Sequence, residues 1–202
     1  MPDTVLEPPP HTVPAVFTRA LLDWLPWLEP LAVEALTERQ MAGLVDAARV
    51  KSPYFRLLAR DPDALRSRTL ADKDIFYNPD AGLPRAEREL AAAATSRFNG
   101  CIYCASVHSR FSATYSKREA DVQRLLDDGV KADLGERWNA IVAAAVTLSA
   151  TPITFASQHV ERLRRAGLDD LAITDLIHAA SFFNWANRLM LSLGEPAASA
   201  GT

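Results

Sequence analysis

The segment from Asp169 to about Leu193 constrains this 202-residue chain more than any other. Asp169 or Asp170 offers an N-cap, and Gly194 with Pro196 offers a stop, so the stretch reads as one long helix. Its middle carries Ile173, Leu176, Ala180, Phe182, Phe183 and Met190, with almost no polar face. A helix that is apolar around most of its circumference has to be buried, in a core or against another subunit. The rest of the chain must supply the helices that wrap it.

The remaining sequence is suited to that. From about residue 15 onward Ala and Leu are abundant, there are only 8 glycines, and no strand-length β-branched alternation occurs. A short helix is expected around Val16 to Leu25, cut by Pro26 and Pro30. Thr37 with Gln40 three residues on is a capping-box pattern and opens a second helix towards Val50. Ser52-Pro53 opens a third, through Arg60, and Asp61-Pro62 supplies the N-cap and first position of a fourth. After a turn cluster from Asn78 to Leu83, Pro84 starts a helix that ends at Asn99-Gly100. Further helices are expected over about 101–115, 117–128, 136–149 and 154–166. Residues 1–14 hold five prolines and read as an extended arm without order of its own, able to lie on a neighbour in an oligomer. The expected division is therefore an arm at 1–14, an N-terminal helical region at 15–80, a helical core at 81–194 and a tail at 195–202, in an all-α fold.

Charge removes some functions. The 22 Lys and Arg against 25 Asp and Glu leave no excess for the basic face of a nucleic-acid binder. No apolar run approaches the roughly 18–20 residues of a membrane span. Residues 1–14 lack the basic start and apolar stretch of a secretion signal. The expectation is a cytoplasmic protein, where structural disulfides are rare. The two cysteines, Cys101 and Cys104, then point to chemistry rather than stapling.

Those cysteines belong to the segment CIYCASVH, in which Cys101, Cys104 and His108 are spaced by three and four residues. On a helix all three fall on one face. His108 lies one turn beyond Cys104, at the distance of a proton acceptor. The helix begins just after Gly100, so its free N–H groups favour a thiolate at Cys101. Two neighbouring sulfurs allow a local disulfide to form and to be released by exchange. Other readings of the same residues stand beside this one. A zinc site needs a fourth ligand, for which Glu89 or water is available. A c-type haem attachment needs His directly after the second Cys, where Ala105 stands. A structural disulfide in so small a loop removes little unfolded-state entropy. Two buried, inert thiols are an ordinary feature of cores.

The run LPRAERELAAAATSRFNGCIYCASVH resembles the AhpD-like alkylhydroperoxidases of the carboxymuconolactone decarboxylase superfamily. There a Glu stands twelve residues before the first Cys of an NGC-x-x-C-x-x-x-H segment, and Glu89, Asn99, Gly100, Cys101, Cys104 and His108 all match. Pro152, the run LRRAGLD at 163–169 and the run FNWANR at 183–188 are similar to the branch called peroxidase-related proteins. The resemblance covers about residues 50–194. AhpD proper has His just before the second Cys, where this chain has Tyr103. With a pKa near 10, Tyr is a poor relay near neutral pH, so the proton path rests on Glu89 and His108.

The resemblance implies an AhpD-like helical bundle with an N-terminal helical extension, and a thiol-dependent peroxidase or dithiol oxidoreductase. Cys104 would attack a hydroperoxide and become a sulfenic acid, Cys101 would condense with it, and an external dithiol would reduce the disulfide. No metal, haem or flavin is implied. It also implies a homo-oligomer, a trimer or hexamer, a state that the apolar last helix favours as well. Two alternatives differ in class: a lyase of the carboxymuconolactone decarboxylase type, which does not depend on a CxxC pair, and a non-enzymatic helical scaffold. Asn184, Asn187 and Arg188, polar on an apolar helix, have to be paired if buried. His159 and His178 have no partner at ligand spacing, and His11 in the arm is expected to be solvated.

Overall fold

The computed structural model describes residues 4–199. Nine α-helices, two short 3-10 turns and one two-stranded sheet occur among these residues. In chain order they are β1 (Leu22–Pro26), α1 (Glu38–Gly43), α2 (Pro53–Leu58), α3 (Pro62–Tyr77), α4 (Arg85–Phe98), α5 (Ile102–Ser116), α6 (Glu119–Asp127), α7 (Glu136–Ser149), α8 (Ser157–Arg165), α9 (Asp170–Leu193) and β2 (Gly194–Ala198). The fold is all-α, the AhpD-like helical bundle expected from the sequence.

The centre of the bundle is α4, which packs against α5, α7 and α9. All ten residues from Glu87 to Ser96 are buried. Ala91 to Ala94 make this geometry available, because side chains that end at Cβ let three neighbours approach one helix. The polar residues on α4 serve as ties. Arg137 of α7 donates Nε and Nη2 to the two oxygens of Glu87, each at 2.7 Å. Arg88 donates Nη1 to the Ile75 carbonyl at 2.7 Å and Nη2 to the Asn78 carbonyl at 3.2 Å, fixing the end of α3. The last helix, α9, buries one side against this core but leaves Leu171, Trp185 and Leu191 exposed. Among the described residues no helix is long and apolar enough to cross a membrane.

Most helix starts follow the sequence signals. Thr37 forms its capping box with Gln40, the Asp61 carboxylate accepts from Ala64 N–H, and the Asp169 carboxylate accepts from Ala172 N–H. The helix that opens at Thr37 stops at Gly43 instead of reaching Val50. Gly43 lies so close to Pro62 that a Cβ would meet its backbone, and the chain turns through Val45 at φ 62° into a 3-10 turn over Ala47–Lys51.

Three expectations for the chain ends are corrected. The segment expected as a first helix is the strand β1, and part of the expected tail is its antiparallel partner β2, with Trp24 opposite Pro196. Pro26 stops a helix from propagating through this segment, and Pro196 lacks an N–H that this two-stranded ribbon does not require of it. What fixes the strand is Trp24: its indole is buried, donates Nε1 to the Met190 carbonyl at 3.3 Å, and stands edge-on to Tyr54 at 5.3 Å. The arm, in turn, is ordered on its own chain. Leu6 N–H donates to the Trp27 carbonyl at 2.8 Å, and the Thr12 carbonyl accepts from Ala198 N–H at 2.9 Å. His11, expected in solvent, has Nε2 at 3.2 Å from the Glu195 carboxylate. Residues 1–3 of the arm and 200–202 of the tail lie outside the described residues.

Gly194 is the closest approach in this ribbon, since a Cβ there would overlap the Leu25 carbonyl and the Trp24 ring. Gly194→Ala is expected to lower stability by about 1–3 kcal/mol, the usual range for overpacking a filled site. A urea unfolding midpoint equal to that of the wild type would show that β1 and β2 are not held as described.

Candidate active site

The site is built at the corner between α4 and α5. Gly100 takes φ 81°, a left-handed conformation that other residues adopt at a cost. Cys101 N–H then reaches back to the Ser96 carbonyl at 2.9 Å, the long bond of a Schellman ending. The reversal places Cys101 at the N-cap of α5 and Cys104 in its first turn. Asn99 pins the corner to α9, donating Nδ2 to Asn184 Oδ1 at 3.0 Å and to Asn187 Oδ1 at 3.1 Å. The Asn187 amide donates in turn to Ser96 Oγ at 3.0 Å. The polar residues of α9 are thus spent on holding this corner, with Arg188 closing the network on Asn184.

Both cysteines are free thiols and buried. Hydrogen bonding from the Cys104 thiol lowers the pKa of Cys101; burial opposes this, while the Cys104 backbone N–H and Asn187 assist it. Cys104 is raised well above the usual thiol range, by the proton it shares with Cys101 and by complete burial. Of the two thiols, Cys101, at the helix N-terminus, is the one whose ionisation is favoured. The sequence reading that paired Cys104 directly with His108 needs adjusting: among the described residues no hydrogen bond joins His108 to either sulfur.

His108 is engaged elsewhere. Its Nδ1 lies 2.5 Å from Glu89 Oε2, and the other carboxylate oxygen accepts from Arg85 Nε at 2.6 Å. Glu89 is only 1% exposed, so these partners replace the water it has lost. Arg85 stacks over Tyr77 with 4.1 Å between guanidinium and ring centroid. Phe183 of α9 meets the His108 ring at 3.9 Å and Phe76 of α3 meets it at 5.4 Å, which fixes the imidazole orientation.

These groups share one space. Cys104, His108 and Glu89 line a cavity of about 200 Å³, walled by Phe76, Tyr103 and Phe183. Cys101 is not part of that wall. It lines a separate cavity of about 160 Å³ beside Trp24, Tyr103 and Gly194. The structure thus brings Glu89, Cys104 and His108 to one cavity and gives Cys101 a second, with Tyr103 between. Burial raises the pKa of Tyr103. Among the described residues no group of three His, Cys, Asp or Glu side chains converges as metal ligands would. His159 and His178 lie apart: the first accepts from Ala156 N–H at the start of α8, and the second lines a cleft with Asp74 and Asp175.

Sequence reasoning missed Arg85 and Arg68. The i,i+4 spacing of Arg85 and Glu89 was readable as a helix pair. The burial of Arg68 had no sequence signal, since it follows from α3 turning that side chain beneath Tyr54 and Phe55.

The shared proton makes a titration the natural check. Thiolate absorbance should reveal one group ionising below the ordinary value of about 8.5. Cys104→Ala removes the thiol donor to Cys101, so the midpoint should move up. An unmoved midpoint would mean that the helix start alone lowers it.

Residues 62–147 match the family model described as the carboxymuconolactone decarboxylase family. No curated protein matches the chain. Among solved structures, a peroxidase-related protein from Ralstonia eutropha JMP134, described as an alkylhydroperoxidase AhpD core, is similar at 24% identity and TM-score 0.68, over 81% of this chain and 87% of that one. A peroxidase-related protein from Silicibacter sp. TM1040 is similar at 21% identity and TM-score 0.67, over 84% and 92% of the two chains. The debrominase Bmp8 is similar at 17% identity and TM-score 0.66, over 81% and 88%. These likenesses establish a shared AhpD-like helical fold, and within it residues 62–147 are similar to the carboxymuconolactone decarboxylase family.

Proposed function

We propose that the protein is a thiol-dependent hydroperoxidase working through Cys104 and Cys101, with Glu89 and His108 handling the proton of the leaving group. The observation that carries this reading is a pair of free thiols at the start of α5 with one sulfur, Cys104, in the cavity that also holds His108 and Glu89. The peroxidase-related names of two structural neighbours agree with it at the level of the family.

The reaction balances as follows. Cys104 passes its proton to Cys101, and its sulfur attacks the terminal oxygen of the hydroperoxide. The O–O bond breaks, and the departing alkoxide takes a proton from the Glu89–His108 pair and leaves as an alcohol. Cys104 is now a sulfenic acid. The Cys101 sulfur attacks it, water departs with the Cys101 proton, and a disulfide remains. An external dithiol restores both thiols by exchange, entering at Cys101 from its own cavity. Metal, haem and flavin are not required by any step. The same reading includes a homo-oligomer, trimer or hexamer, whose contacts use the exposed Leu171, Trp185 and Leu191 of α9.

One equivalent of an organic hydroperoxide should remove both free thiols and yield an intramolecular disulfide that a dithiol reverses. Glu89→Gln and His108→Gln should each slow this by tenfold or more, since general acid–base help is typically worth about 10²–10⁴. The double variant should be less than additive. Unchanged thiols in the wild type would leave a lyase or a scaffold as the better reading. Wild-type rates in both single variants would remove these residues from the mechanism.

Light scattering at micromolar concentration checks the assembly separately. The expected mass is three or six times that of the chain. A monomer would mean that the exposed apolar residues of α9 face solvent.

A further inference from the structure

Among the described residues, a cation in the active-site cavity keeps two N–H donors without a partner. Arg68 of α3 lines the same cavity as Cys104 and His108, and only 7% of its surface is exposed. Its Nε and Nη1 are buried without a hydrogen-bond partner among the described residues. The other charges on that wall are already spent. Asp72, one helical turn on, pairs with Arg49 at 3.0 Å, and Glu89 is held by Arg85 and His108. What surrounds the Arg68 guanidinium is aromatic: its carbon lies 5.1 Å from the Phe182 ring centroid, 5.5 Å from Phe55 and 5.7 Å from Tyr54. Ring faces offset part of the cost of burying a cation, but they do not accept its N–H donors. The Tyr54 hydroxyl beside it is buried without a hydrogen-bond partner too.

A planar guanidinium with open donors, at the wall of an apolar cavity, matches the two oxygens of a carboxylate or a comparable anion. Most of the remaining wall is apolar, from Phe76, Phe111, Phe183, Val107 and Met190. At about 200 Å³ the space is below the roughly 300–1,000 Å³ of drug-sized sites. It suits a short chain or a single ring.

We propose that Arg68 anchors the anionic group of the substrate, so that the cavity takes a small apolar hydroperoxide bearing a carboxylate. Arg68 and the Tyr54 hydroxyl bind the carboxylate oxygens, and the apolar body lies along the aromatic wall with its reactive end at Cys104. Arg68 is a binding residue and takes no part in bond cleavage. The identity of the reactive end rests on the peroxidase reading above; the anion site does not.

The test has two arms. In the first, hexanoate and hexanamide, equal in length and different in charge, are titrated calorimetrically into the reduced protein. Hexanoate should bind at least about tenfold more tightly, the usual worth of a hydrogen-bonded charge in a dry site. Arg68→Met should abolish the difference, and Arg68→Lys should keep part of it. In the second arm, 6-hydroperoxyhexanoate and its methyl ester oxidise the thiols of the same three proteins. The acid should be favoured at least about tenfold in the wild type, and Arg68→Met should bring that acid-over-ester preference down to near unity.

Equal binding of hexanoate and hexanamide by the wild type overturns the proposal. So does an Arg68→Met variant that slows acid and ester alike, because Arg68 would then act on the Cys104 sulfur and not on the ligand. If Arg68→Met does not fold, the wild-type pair and Arg68→Lys still decide. Preferential, Arg68-dependent binding of hexanoate with no thiol oxidation by either hydroperoxide would sustain the anion site and sink the peroxidase reading. Equal oxidation of acid and ester with no binding preference would do the reverse.

Discussion

The carboxylate of Glu89 has to be satisfied inside the bundle, and much of the site follows from that requirement. The side chain is 1% exposed, on the helix against which α5, α7 and α9 pack. An unpaired charge there is not affordable, since removing one partner of a buried pair typically costs about 3–5 kcal/mol. Arg85 comes from one turn back on α4, and His108 comes from α5. The His108 contact ties the rotation of α5 to that of α4. Because Cys104 is one turn before His108, the same rotation delivers its sulfur to the cavity. The aromatic residues Phe76 and Phe183 then follow, as the apolar packing that holds an imidazole already fixed at Nδ1.

The second constraint is the backbone reversal at Gly100. A left-handed residue there lets the chain leave α4 and begin α5 within a single residue, so Cys101 becomes an N-cap and lies close to Cys104. Of the two thiols, ionisation is favoured at the one nearer the free N–H groups. The neighbouring thiol and the helix start therefore act together on Cys101. Cys104 is pushed the other way, by Cys101 and by burial.

The parts of this arrangement that rest on short-range spacing were legible in the sequence. The Cys101, Cys104 and His108 face, the Gly100 reversal and the caps at Thr37, Asp61 and Asp169 involve residues three to five apart, where helix geometry alone decides who meets whom. The pairing of β1 with β2 was not legible, because its partners are brought together only after α9 has docked. Local signals there were ambiguous: Trp24 and Leu25 fit a helix or a strand equally, and the choice was made by the Met190 carbonyl and the backbone of residues 194–198. The ordering of the arm has the same origin. The long apolar helix is legible as an element, and within its own chain it buries one side while Leu171, Trp185 and Leu191 stay exposed. Ala91 to Ala94, weakly hydrophobic residue by residue, mark the true centre, since small side chains signal close approach and not affinity for a core.

Similarity at 17–24% identity fixes a fold without fixing a reaction. A debrominase shares it with peroxidase-related proteins, so the bundle itself is compatible with more than one chemistry. What separates them has to lie in the few side chains that line the cavity. In this chain the elements fall on different helices: the thiol and the imidazole on α5, the carboxylate on α4, and an unpaired arginine on α3. The imidazole and the carboxylate are tied to each other through the core, and the thiol stands one turn before that imidazole. Arg68 keeps two buried N–H donors without a partner among the described residues. Its guanidinium is set among the rings of Phe182, Phe55 and Tyr54, so a change there alters the cavity wall while leaving the Glu89–His108 tie in place.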